Sequence, residues 1–72
     1  MGLVNSDLGG WSLNAINQGP PFRVAIVGPF RLAQVEDSRG VCALSGPNGA
    51  VFCASRDQAE RLCALANEGS LK

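Results

Sequence analysis

One segment near the end of the chain, residues 55–69, carries helix signals at both ends and along one face. Ser55 is positioned to cap the N-terminus, its hydroxyl accepting from a free N–H of the first turn. Gln58, three residues on, is positioned to return a bond to the Ser55 N–H and complete a capping box. Asp57 brings negative charge to the positive end of the helix dipole. Ala59, Leu62, Cys63 and Ala66 recur at i, i+3, i+4 and i+7, with Leu65 flanking them. Arg56, Asp57, Glu60, Arg61, Ala64 and Asn67 fall off that stripe, facing water or its boundary. Gly69 supplies a left-handed stop. Everything upstream reads as short strands, and the apolar stripe of the helix is what they pack against.

A chain of 72 residues makes one small domain, and at this size only about 60% of the unfolded surface is buried on folding. Because 46% of the residues are hydrophobic and 17% charged, most of the chain is expected to be ordered. Six basic and six acidic residues cancel, which removes any bulk attraction to nucleic acid or to an anionic membrane. There is no signal-like apolar region at the N-terminus and no run of membrane-spanning length, so no membrane association is predicted. Cys42, Cys53 and Cys63 are an odd set without framework spacing, which points to reduced thiols in a cytoplasmic setting.

Residues 1–21 form a leader rich in glycine and asparagine, with Leu3, Val4, Leu8, Trp11, Leu13 and Ile16 scattered through it. Ser12 is placed to cap one helical turn over 12–17. Trp11 is costly to leave in water, so the leader is expected to be partly ordered or folded back. Residues 22–69 read as a single small α+β domain. Strands are predicted over 22–27, 30–36, 41–45 and 50–53, separated by Gly28-Pro29, Asp37-Ser38-Arg39-Gly40 and Gly46-Pro47-Asn48-Gly49. The architecture is therefore an antiparallel three- to four-stranded meander with one C-terminal helix packed on one face.

Closing each hairpin at its turn gives a register. Val27 with Phe30 sets Phe22 against Val35 and Val24 against Ala33. Asp37 with Gly40 sets Val35 against Cys42 and Ala33 against Leu44. Ser45 with Ala50 sets Leu44 against Val51 and Cys42 against Cys53. Phe22, Val24, Ile26, Ala33, Val35, Cys42, Leu44, Val51 and Cys53 then share one apolar face, interrupted only where Arg31 meets Ile26. A slip of one residue would exchange the two faces. The other face carries Arg23, Ala25, Val27, Phe30, Leu32, Gln34, Glu36, Val41, Ala43 and Phe52, too apolar for a solvated sheet. Its cover is expected to be the leader, a second copy of the chain or a partner protein.

Catalytic chemistry is thinly represented. Without histidine there is no Ser–His or Cys–His pair and no histidine metal site. The cysteines lack Cys-x-x-Cys spacing, so no metal, cofactor or catalytic residues are predicted. Glu36-Asp37 reads as a solvated hairpin tip, and Gly46-Pro47-Asn48-Gly49 lacks the lysine and helix of a phosphate loop. The candidate partner-binding residues are Trp11, Arg23, Phe30, Arg31, Leu32 and Phe52, aromatics with adjacent arginines being a common hot-spot composition. Phe30 and Phe52 are also able to stack on bases, but the neutral charge disfavours nucleic acid.

The run Phe22-Arg23-Val24, then Val35-Glu36-Asp37-Ser38-Arg39-Gly40-Val41, then Ala59-Glu60 and Leu65-Ala66-Asn67 resembles a pattern in short orphan proteins of bacteria and phages. In these a strand, an Asp-x-x-Gly hairpin and an Ala-Glu-rich helix ending near Leu-x-Asn make a small sheet-plus-helix domain. The resemblance spans 22–67, and the Gly-Asn-rich leader departs from it. It implies no catalytic residue. Small phage-encoded proteins of this build are often inhibitors of host defence, including anti-CRISPR proteins. The resemblance thus implies a non-enzymatic protein-binding module, with a small nucleic-acid-binding module as the alternative.

Overall fold

The computed structural model describes residues 8–71, so Leu3 and Val4 of the leader lie outside the described residues. Four antiparallel strands and one helix follow in the order β1 (Ser12–Leu13), β2 (Arg23–Val27), β3 (Leu32–Glu36), β4 (Leu44–Ser45) and α1 (Arg56–Glu68). They form an α+β fold with α1 packed on the strands, the predicted class. The strands divide into two small sheets, β2–β3 and β1–β4, in place of one continuous meander.

The helix forms for the reasons its sequence gives. The Gln58 N–H donates to Ser55 Oγ at 3.1 Å. The return bond differs from the expected box: Gln58 Oε1 accepts from the Ala54 N–H, one residue before the cap. At the other end Gly69 has φ 84°, its N–H donating to Ala66 O while the Ser70 N–H donates to Leu65 O. That pair of bonds is a Schellman closure, and it turns Leu71 back against the core. Ala59, Leu62 and Ala66 are buried against Phe22, Ala33, Val35, Ala43, Leu44 and Cys53.

Each hairpin differs in register from the simple closure, and left-handed residues are the cause. In the first, Gly28 (φ 76°) and Arg31 (φ 54°) flank Pro29 and Phe30, and the Arg31 N–H donates to Gly28 O. The loop takes these four positions, so Val24 pairs with Val35 and Ile26 with Ala33. Arg31 is left in the loop and does not face Ile26. This shift of two residues keeps every side chain on its predicted face.

The other two hairpins slip by one. The Gly40 N–H donates to Asp37 O while the Asp37 N–H donates to Val41 O; the Gly49 N–H donates to Gly46 O while the Gly46 N–H donates to Ala50 O. Gly40 (φ 84°) and Gly49 (φ 76°) are left-handed, so each turn carries one extra, bulged residue. Glu36 therefore opposes Cys42, and the Ala43 N–H donates to Val35 O. Ala43 takes the core position assigned to Cys42, which is only half-buried. Beyond Ala43 the chain leaves β3 and pairs with the leader, Leu44 opposite Leu13 and Ser45 opposite Ser12. The 12–17 segment thus begins as β1 rather than as a helical turn. Residues 50–53 form no strand: one bridge, Cys53 to Ala33, remains, and Val51 is exposed.

Two polar side chains expected near water tie the fold together. Asn67 Oδ1 accepts from the Phe22 N–H at 2.8 Å, and Asn67 Nδ2 donates to Phe22 O at 3.0 Å. The end of the helix thereby holds the entrance of β2, just after the cis Pro20–Pro21 bond. Asp37 is 1% exposed, not a solvated tip. Its Oδ1 accepts from the Arg39 and Val41 N–H groups and its Oδ2 from the Gln18 N–H. The Arg39 guanidinium lies 3.5 Å from Oδ2 and also donates to Ile16 O. Glu36 is buried as well, accepting from Arg23 and Gln34.

Leu62 is fully buried, so Leu62→Ala should destabilise by about 2–5 kcal/mol. Arg56 makes an exposed i, i+4 ion pair with Glu60, and Arg56→Ala should cost a few tenths of a kcal/mol. Denaturant midpoints that coincide for the two variants would contradict the facing of the helix.

Burial pushes the Asp37 carboxyl up, but the Gln18, Arg39 and Val41 N–H groups and the Arg39 charge outweigh it and hold it below the ordinary aspartate range. A folded value below the unfolded one gives stability that is present above about pH 3.9. That stability is lost as the pH falls through the folded value. Denaturant titrations across this window should show the fall in the wild type and not in Asp37→Asn, which should be the less stable protein at neutral pH.

Candidate interaction site on the outer sheet face

With α1 covering the side of β3 that bears Ala33 and Val35, the alternation of strand side chains puts Leu32, Gln34 and Glu36 on the outer side. The pairing of Val27 with Leu32, Ala25 with Gln34 and Arg23 with Glu36 extends this outer face onto β2. On the other edge of β3, Cys53 is buried beside Ala33, and Phe52, one residue earlier, is partly exposed.

The two ends of this face differ chemically. At one end Arg23 Nε lies 3.4 Å from Glu36 Oε1 and Gln34 Nε2 donates to Glu36 Oε2 at 3.0 Å. Gly40 lies over the same group, a Cβ there falling 3.5 Å from Arg23 Nη2 and 3.8 Å from Glu36 Oε1. That end is a polar cluster in which Glu36 is buried and the Arg23 side chain is largely exposed. The other end is apolar and open: Phe30 is 82% exposed, Leu32 40% and Phe52 39%. Val27, paired with Leu32, is half-buried between them. Phe30 projects from the hairpin loop, next to Arg31, whose guanidinium has no ion-pair partner among the described residues.

The six predicted site residues therefore separate into three groups. Leu32 lies on the outer face, Phe30 and Arg31 stand in the loop just before it, and Phe52 is partly exposed beyond the other edge of β3. Arg23 is four residues from Val27 along β2, roughly 13 Å at the rise of a strand, and is committed to Glu36. Trp11 is elsewhere: its ring packs against the core and against Gly46, where an added Cβ would fall 3.0 Å from Cη2. The described part of the leader, residues 8–21, lies against the Asp37–Gly40 turn and the β4 edge. Gln34 and Glu36, the polar end of the site, were visible in the sequence as alternating residues; the capture of Glu36 by Arg23 depended on the β2–β3 register that the four-residue loop 28–31 sets.

Two of the thiols are shifted by their surroundings. Burial pushes the Cys53 thiol up and the nearby Cys42 adds to the effect. Cys63 is raised by burial, with the Asn67 side chain pulling in the opposite direction. Cys42 Sγ donates to Leu44 O and Val51 O at 3.6 and 3.7 Å. No cluster of three or more His, Cys, Asp or Glu side chains fit to hold a metal occurs among the described residues. No helix among them is long and apolar enough to cross a membrane.

Comparison with protein-family models, with curated proteins and with solved structures finds no match to this chain.

Alkylation at about pH 7.5, below the free-thiol value of about 8.5, should leave Cys53 unlabelled in the native protein and modify all three cysteines once it is denatured. Rapid native labelling of Cys53 would contradict its burial beside Ala33.

Proposed function

We propose that this chain is a non-enzymatic protein-binding module that docks another protein on the apolar end of its outer sheet face. The observation that carries this reading is the joint exposure of Phe30, Leu32 and Phe52, with Arg31, which has no ion-pair partner among the described residues, next to Phe30 and Leu32 in the chain. Small folded domains rarely leave two phenylalanines in water next to a leucine without a use for them. Large apolar side chains ringed by a few polar groups are the composition of an interface core. The resemblance to short phage-encoded proteins favours, as the partner, a component of a host defence complex, so the module would act as an inhibitor of the anti-CRISPR kind. A nucleic-acid reading of the same face gains from the two phenylalanines. Among the described residues it meets one arginine without an ion-pair partner, Arg31, where several phosphates would need neutralising.

Phe30 is so exposed that Phe30→Asp leaves the fold untouched, and Phe52→Asp alters a side chain that is itself partly exposed. Each should lower affinity for a partner isolated from host lysate by about 2 kcal/mol or more, roughly thirty-fold, with an unchanged helical circular dichroism signal. Affinity should vary little with salt. Binding that survives both variants would remove this face as the site, and a steep loss of affinity with salt would favour nucleic acid.

A further inference from the structure

β2 has a second edge. Val35 O and Ala33 O accept from the Ala43 and Cys53 N–H groups, so the alternate residues of β3, Leu32, Gln34 and Glu36, turn their backbone groups toward β2. Their partners Val27, Ala25 and Arg23 answer them. By the same alternation Phe22, Val24 and Ile26 direct N–H and C=O away from β3. The bonds at Phe22 agree: both its N–H and its C=O are held by the Asn67 side chain, which occupies the place of a missing strand. Val24 and Ile26 have no such cap, and no strand pairs with this edge among the described residues.

Sheet edges in monomeric proteins are blunted by lysine, proline or a bulge. β2, Arg23–Val27, has none of these, and its only charge, Arg23, is engaged with Glu36. Ile26 is 36% exposed and Val24 half-buried beside it. We propose that two copies of this chain pair edge to edge, β2 antiparallel to β2, about a two-fold axis at Ala25. This proposal stands apart from the partner-binding reading of the outer face.

The strand is self-complementary in that one register. Val24 of each copy meets Ile26 of the other, and both residues exchange N–H···O bonds, giving four across the axis. Ala25 meets Ala25 as a non-hydrogen-bonded pair, where Cα atoms approach to about 4.5 Å and a small side chain fits. Arg23 meets Val27, so no like charges oppose each other. Pairing ends where Asn67 already occupies Phe22. There the Gly28–Arg31 loop of one copy comes beside the helix end of the other, bringing the unpaired Arg31 toward Glu68. A helix C-terminus with an acidic residue and no basic one in its last turn is a favourable neighbour for that charge. Moving the axis to Val24 or Ile26 would lose half of these bonds.

Sedimentation equilibrium on the full chain should return twice the 7.5 kDa of the monomer. Ala25→Lys, which sets two ammonium groups across the axis, should return a monomer. Chemical synthesis with an N-methyl group on the Ile26 amide should do the same, because that N–H points outward and is not part of the β2–β3 ladder. Helical circular dichroism should be unchanged in the N-methyl protein, which keeps the test valid if Ala25→Lys fails to fold. Phe52→Asp should remain a dimer. A wild type that stays monomeric up to about 1 mM, the weak limit of specific association, would overturn the proposal. So would a dimer that survives N-methylation, or one that is lost in Phe52→Asp.

Discussion

The buried carboxylate of Asp37 is the contact on which the rest of the arrangement hangs. Removing a carboxylate from water is tolerable only if its lone pairs are filled. Here the Arg39 and Val41 N–H groups fill one oxygen and the Gln18 N–H the other, with Arg39 completing the set. The first two fix the bulged shape of the turn, and hence the register of Cys42 and Ala43 on β3. The third fastens the leader to that turn, aided by Ser38, whose N–H donates to Gly19 O. Once the leader is held there, β1 lies beside β4 and Trp11 reaches Gly46. One side chain thereby couples a turn, a register and a distant segment.

This placement of the leader also decides what stays open. Among the described residues the leader closes the β4 edge and the turn, while Phe30, Leu32 and Phe52 stay exposed. Asn67 closes the β2 edge at Phe22 and leaves it bare at Val24 and Ile26. Both uncovered surfaces therefore lie on the hairpin β2–β3, far from the Asp37 turn. The polar cluster of Arg23, Gln34 and Glu36 marks the boundary between the closed and the open halves.

Local signals were legible in the sequence and long-range consequences of single residues were not. Ser55, Gln58 and Gly69 act within a few residues of themselves, and the helix falls where they put it. The turns at 37–40 and 46–49 were legible too, but a glycine at the fourth position adopts a left-handed conformation and adds a residue to the loop. That addition exchanged Cys42 for Ala43 in the core and released residues 50–53 from the sheet. The first hairpin shifted by two, so the strand residues of β2 and β3 kept their predicted faces. Asp37 looked like a surface residue because Gln18, one of its partners, is distant in sequence; Asn67 is exposed as expected, and only its bonds to distant Phe22 were hidden. Trp11 carried a correct signal of burial with no information on where the ring would go.

If Asp37 organises the turn and the leader together, its ionisation must be felt in both. The direct measurement is an NMR titration that follows the Asp37 carboxyl carbon with the amide resonances of Gln18, Arg39 and Val41. The carboxyl should titrate below the ordinary aspartate value of about 3.9, and all three amides should move with that same midpoint. A carboxyl that titrates at or above the ordinary value, or a Gln18 amide that ignores it, would contradict this account.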